Sequence, residues 1–177
     1  MKWLCAIFLV LLCGTSFGQK SGAITFYSKC PQLNYCKDCG DTKAAFPGKL
    51  KKAFEKELNV RDLERIEGVV ILKVVVDSLG NACVDRLYNR STNSSEEIRL
   101  LQLENVFARS MPKWKPAILG GKAVNSYVLL AMYSHIDGHG LFDINYLRND
   151  KQRKWVLSNS NNQKVMMYFD SNAEMTE

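Results

Sequence analysis

Apolar positions recur along this chain with two different periods, and each change of period marks an element. In FPGKLKKAFEKELN, Phe46, Leu50, Ala53, Phe54 and Leu58 fall at helical spacing, with Lys51, Lys52, Lys56 and Glu57 on the other side. Pro47 suits the first turn of such a helix, where a missing N–H costs nothing. A second short helical turn is expected around Arg61 to Ile66. GVVILKVVVD is then almost wholly apolar and β-branched, with Lys73 its only interior charge, and predicts a central strand. DSLGN supplies a short turn, with Gly80 available for positive φ. ACVDRLYN alternates, which places Cys83, Asp85 and Leu87 on one face and Val84, Arg86 and Tyr88 on the other. The two runs together predict a hairpin.

The helical period returns in STNSSEEIRLLQLENVFARSM. Ser94 followed three residues later by Glu97 is a capping-box signature. Leu100, Leu103, Phe107 and Met111 form one stripe, expected to pack on the hairpin, whereas Ile98, Leu101 and Val106 fall off it. Pro112 stops the helix, because the residue before a proline is steered out of the α region. In MPKWKPAILGGKAVNSYVLLAMYS two prolines bracket Trp114, a Gly120-Gly121 turn follows, and a third strand is expected from about Ala123 to Tyr133. Trp114 reads as a buried anchor. The order helix, hairpin, helix, strand predicts an α+β domain, a small antiparallel three-stranded sheet with two helices on one face.

The ends of the chain read differently. WLCAIFLVLLC, behind the charged Lys2, has the length of a signal-peptide core and falls short of the roughly 20 residues a membrane-spanning helix needs. The small residues of GTSFG predict cleavage near Gly18 and a periplasmic or secreted chain with no transmembrane helix in its mature form. The expected divisions are a signal peptide (1–18), a Cys-bearing segment (19–45), the domain (46–135) and a C-terminal extension (136–177). In the extension, KWVLSNSNNQKVMMYFDS predicts a further hairpin of Trp155 to Leu157 with Val165 to Phe169. A hairpin pairing beside the third strand would cover that strand's edge.

Charge and cysteines narrow the chemistry. The net charge of +6 is scattered among acidic residues, and export argues against nucleic acid as a partner, so the charge serves solubility. Cys30, Cys36, Cys39 and Cys83 survive cleavage. An even number in an oxidising compartment predicts two disulfides, with three connectivities open. Cys36 and Cys39 also have the spacing of redox dithiols and of half a zinc site. They sit in a polar stretch closed by Gly40 and Asp41, so a clasp tying the N-terminal segment to the core is expected. SHIDGHG groups His135, Asp137 and His139, but Gly138 and Gly140 oppose the helix that a zinc-binding histidine pair needs. A solvated loop is expected there. No serine elbow, phosphate-binding glycine loop or placed carboxylate pair is present, so neither catalysis nor a cofactor or metal is expected. The alternative is a secreted redox or metal-binding protein using Cys36 and Cys39 with His135 and His139.

Two stretches carry a family resemblance. RIEGVVILKVVVDSLGNACVDRLYNRS and MPKWKPAILGGKAVN place Gly68, Asp77 and Gly80 ahead of Trp114, Pro116, Gly121 and Val124. In that order they resemble the TonB C-terminal domain family, over a span from about Phe46 to Ser134. The resemblance implies a periplasmic module that contacts outer-membrane TonB-dependent transporters, or another envelope protein, by pairing a sheet edge with an extended segment of its partner. It implies partner contacts along the third strand at Val124, Asn125, Ser126, Tyr127, Val128, Leu129 and Leu130, and structural roles for the other motif residues. The chain departs from the family in having only four prolines and thus no Pro-rich linker, and in carrying Ala131 and Ser134 where a proline and an aromatic are usual. A stand-alone, non-enzymatic binding protein is therefore expected rather than an energy transducer. Exposed edges also leave a strand-exchanged homodimer open.

Overall fold

The computed structural model describes residues 23–25, 30, 34–37, 39–59, 63, 66–109, 113–134, 142–148, 151 and 154. The expected signal segment, the His135–His139 loop and the Trp155–Phe169 hairpin lie outside the described residues. The elements in chain order are β1 (Ala23–Thr25), β2 (Cys36–Lys37), α1 (Leu50–Glu57), β3 (Gly68–Val76), β4 (Ala82–Ser91), α2 (Ser95–Leu100), α3 (Leu103–Arg109), β5 (Ala117–Leu119), β6 (Lys122–Val124), β7 (Ser126–Ser134) and β8 (Phe142–Tyr146). The architecture is α+β, as the order of periods predicted.

The expected three strands form the centre of the sheet, in the order β4-β3-β7, all antiparallel. The sheet is wider than three strands, however. β1 flanks β4, β2 lies parallel to the start of β7, and β8 runs antiparallel to the end of β7. β3 owes its central place to apolar residues on both faces. Val70, Leu72, Val74 and Val76 point into a core shared with Leu50 and Phe54 of α1, Ile98 of α2, and Leu103, Val106 and Phe107 of α3. Val69 and Ile71 point the other way, packing with Leu129, Ala131, Tyr133 and Leu147.

Three local expectations are corrected. The β3–β4 register shifts between Lys73 and Val74, so Lys73 faces Arg86 while Val74 faces Val84, and Asp85 is the extra residue of a bulge. Val84 and Leu87 consequently enter the same core, although strict alternation puts them on opposite faces. The second helix is broken. α2 carries the expected capping box, with Ser94 Oγ accepting from Glu97 N and Glu97 accepting from Ser94 N, but it ends at Leu100 with Leu101 as its C-cap. Gln102 then takes a φ of 48° before α3 begins. The break turns Ile98 and Val106 inward and leaves Leu100 70% exposed, so Leu100 drops out of the expected stripe while Leu103 and Phe107 keep their place in the core. The third strand is also two elements. β6 belongs to a hairpin with β5 around Gly120 and Gly121, at φ 56° and 77°, and β7 starts only after Asn125.

The corner around Trp114 locks these parts together. Trp114 is 3% exposed and meets Phe46, Phe107 and Tyr146 at centroid distances of 5.7, 6.3 and 6.3 Å. Its N–H donates to the Gly80 carbonyl at 2.9 Å. Gly80 holds φ 82°, and a Cβ there would run into the Trp114 carbonyl oxygen. Two motif residues of the resemblance are thus in direct backbone contact, and only glycine lets them meet. The left-handed conformation alone costs a side chain about 1–3 kcal/mol, so Gly80→Ala should lower the unfolding free energy by at least that much, read from a urea midpoint. A variant as stable as the parent would show that the close approach is dispensable.

Candidate functional site

The strand implicated by the resemblance is β7, and its two margins differ. One is filled along its length by β3, from Tyr133 opposite Val69 to Ser126 opposite Val76. The outer margin is filled piecewise. β2 pairs Cys36 with Ser126 and Lys37 with Tyr127, whereas β8 pairs Tyr146 with Leu130 and continues to Phe142 opposite Ser134. Leu147 N–H donates to the Leu129 carbonyl at 2.8 Å where β8 ends. The outer margin is therefore composite, a two-residue strand and a five-residue strand lying end to end.

The seven residues expected to contact a partner are distributed accordingly. Val124 is in β6 opposite Ala117, away from this margin. Asn125 is a junction: its carbonyl accepts from Cys36 N–H at 3.2 Å, and its Oδ1 accepts from Ser78 N–H at 2.9 Å, in the β3–β4 turn. Ser126 is fully buried, and its Oγ has no hydrogen-bond partner among the described residues. Val128 and Leu130 point into the helix-covered core, while Tyr127 and Leu129 line the opposite face. Lys73 sits over the Tyr127 ring at 4.7 Å and pairs with Asp85 at 2.6 Å, so the bulge places a charge pair on that face.

The cysteines define what reaches the outer margin from the N-terminal side. Of the connectivities left open by the sequence, the structure has Cys30–Cys83 and Cys36–Cys39. Cys83 is at the start of β4, opposite Val75 of β3, whereas Cys36 is on the far side of β7, so Cys30, bridged to Cys83, and Cys36 sit on opposite flanks of the sheet. Tyr35 immediately precedes β2; burial pushes its hydroxyl above the ordinary range, and the charges of Asp77 and Asp85 add to the effect. Past Cys39 the chain is held again. Asp41 N–H and Thr42 N–H donate to Ile118, Ala45 exchanges bonds with Lys115, and Asp41 Oδ2 accepts from Gly120 N–H at 2.9 Å. Residues 30–46 are thus a strap anchored at both ends, with β2 and the second disulfide in the middle.

The two disulfides differ in what they hold. By chain entropy a bridge spanning 53 residues stabilises by about 4 kcal/mol, and one spanning three by about 2 kcal/mol. Cys30–Cys83 is the expected clasp to the core, and Cys36–Cys39 joins near neighbours at the end of β2. Disulfides of this kind fit an oxidising, periplasmic or secreted setting. No helix among the described residues is long and apolar enough to cross a membrane. No group of three histidine, cysteine or acidic side chains among them is placed to hold a metal ion.

β8 was not legible as a strand, yet it is tied into the core. Tyr146 packs on Trp114, its hydroxyl accepts from Phe46 N–H at 2.8 Å, and burial raises its pKa in spite of that bond. The signal that could have found it is FDINY itself, whose Phe142, Ile144 and Tyr146 alternate with polar residues. No family model, no curated protein and no solved structure matches the chain.

Asp77 organises the turn beside Asn125. Burial pushes its carboxyl up, but the side chain and N–H of Asn81, the N–H of Leu79 and the nearby charge of Lys113 together bring it below its ordinary value of 3.8. A depressed carboxylate contributes stability that is full above the unfolded-state pKa and is lost as pH falls through the lower folded value. The urea midpoint should therefore drop below pH 4, and Asp77→Asn should remove part of that drop. An unchanged pH profile in the variant would contradict the assignment.

Proposed function

We propose that the chain is a non-enzymatic interaction module of the bacterial envelope, resembling the TonB C-terminal domain, that engages an extended segment of an outer-membrane transporter or another envelope protein by strand pairing at β7. One observation supports this reading above the others. The outer margin of the nine-residue β7 is completed by two short strands from before and after the domain instead of by one full-length strand. Two-residue pairing contributes few backbone hydrogen bonds, each worth about 1 kcal/mol net, so an incoming strand of five or six residues outcompetes β2 for the same place. The affinity comes from the backbone, and the alternation of Tyr127 and Leu129 with Ser126 and Val128 sets which partner side chains are accepted. β8, tied to Trp114 through Tyr146, stays in place and limits how far the partner strand runs.

The reading is tested by titrating a labelled, extended peptide from the periplasm-facing end of a transporter. Micromolar binding is expected, together with its loss when alternate peptide amides are N-methylated on the side that faces β7. Deleting residues 136–177 strips the β8 cap and should raise the affinity. No binding, or binding indifferent to amide methylation, would overturn the proposal.

A further inference from the structure

We infer that Cys36–Cys39 is an exchange-active disulfide that passes two electrons with an external dithiol and thereby sets the length of β2. In an extended strand, residues three apart are separated by about 10 Å. Cys36 and Cys39 are bridged at a Cα separation of 5.6 Å, so the chain cannot run on as an extended strand from Cys36 to Cys39. The bridge thus terminates β2, and its pairing with β7 stops at Tyr127. The other bridge has no such role, because Cys30 and Cys83 join segments 53 residues apart and anchor the strap to β4.

The two sulfurs are unequal. Cys36 is fixed in β2, and its Sγ lies 3.2 Å from the Asn125 carbonyl oxygen. That approach gives a bridged sulfur nothing to donate, but it becomes an S–H···O bond once Cys36 carries a proton. Cys39 lies outside β2, beyond the strand that fixes its partner. In the exchange, a thiolate of the donor attacks Cys39 Sγ and forms a mixed disulfide. The Cys36–Cys39 bond breaks, and Cys36 leaves with the bonding pair and takes a proton from water, so that its S–H donates a hydrogen bond to the Asn125 carbonyl. The donor's second thiolate then attacks its own sulfur in the mixed disulfide and expels Cys39 as a thiolate. The donor ends as a disulfide and the chain as a dithiol. The carbonyl beside Cys36 opposes its thiolate form, so Cys36 departs only as its proton arrives, and the resulting thiol is slow to attack back. With the bridge open, residues 38 and 39 are free to extend β2 toward Leu129.

This inference does not depend on the transporter reading, and no arm of its test uses a transporter peptide. The native mature chain is titrated with dithiothreitol, quenched with N-ethylmaleimide and mapped by peptide mass. Cys36 and Cys39 should be labelled at about tenfold less reductant than Cys30 and Cys83. Simultaneous opening of both bridges, or prior opening of Cys30–Cys83, would overturn the inference. In Cys36→Ser, Cys39 should accumulate a mixed disulfide with oxidised glutathione while Cys30–Cys83 stays closed; an unreactive Cys39 would contradict its role. Amide exchange at Leu129 should slow after selective reduction, because residue 39 then reaches the register opposite it. Unchanged exchange there would refute the control of β2 length.

Discussion

The close approach of Gly80 to Trp114 is the constraint on which the rest of this structure depends. The turn of the β3–β4 hairpin and the corner leading to β5 meet backbone to backbone, through the Trp114 N–H and the Gly80 carbonyl. That contact fixes where the indole sits, and the indole in turn gathers Phe46 from the strap side, Phe107 from α3 and Tyr146 from β8. Three remote segments are thus positioned by one crossing. Because Tyr146 is among them, β8 is held against the sheet beside β7.

The outer margin of β7 follows from this arrangement. An uncovered strand edge invites pairing with other chains, and proteins manage such edges with short strands, bulges or covering segments. This chain covers its edge from both ends. β8 arrives through the aromatic corner, and β2 arrives through a strap pinned by Cys30–Cys83 and by the bridges of Thr42 and Ala45 to the β5 corner. The coverings are unequal in strength: β8 has a five-residue ladder and a buried tyrosine, β2 a two-residue ladder and a small disulfide-closed turn. The weaker covering is the part of the margin at which the proposed partner strand would compete.

Much of the framework was legible from residue pattern, and the misses have physical causes. The hairpin could be read because nine residues of near-continuous apolar, β-branched sequence have few other places to go. The capping box was visible because its two partners are three residues apart. Trp114 was readable as an anchor from its bracketing prolines. The bulge at Lys73 was not, because its cause is the pairing of two strands and not the pattern of either one. The break at Gln102 was hidden in a sequence of good helix formers. β1, β2 and β8 are short, and their partners are far away in the chain, so pattern alone could not place them. The disulfide pairing depended on that placement, which is why three connectivities stayed open.

The proposed function turns on whether the β2 position beside β7 accepts a foreign backbone. The most direct measurement is an isotope-edited NMR study of the labelled chain with an unlabelled, extended transporter peptide, reading cross-strand contacts to Ser126, Tyr127, Val128 and Leu129. The account predicts peptide contacts at these residues, loss of the Cys36 contacts to Ser126, and an intact ladder between β7 and β8. Retention of the Cys36 contacts with the peptide seated elsewhere, or with no peptide contact at all, would contradict it.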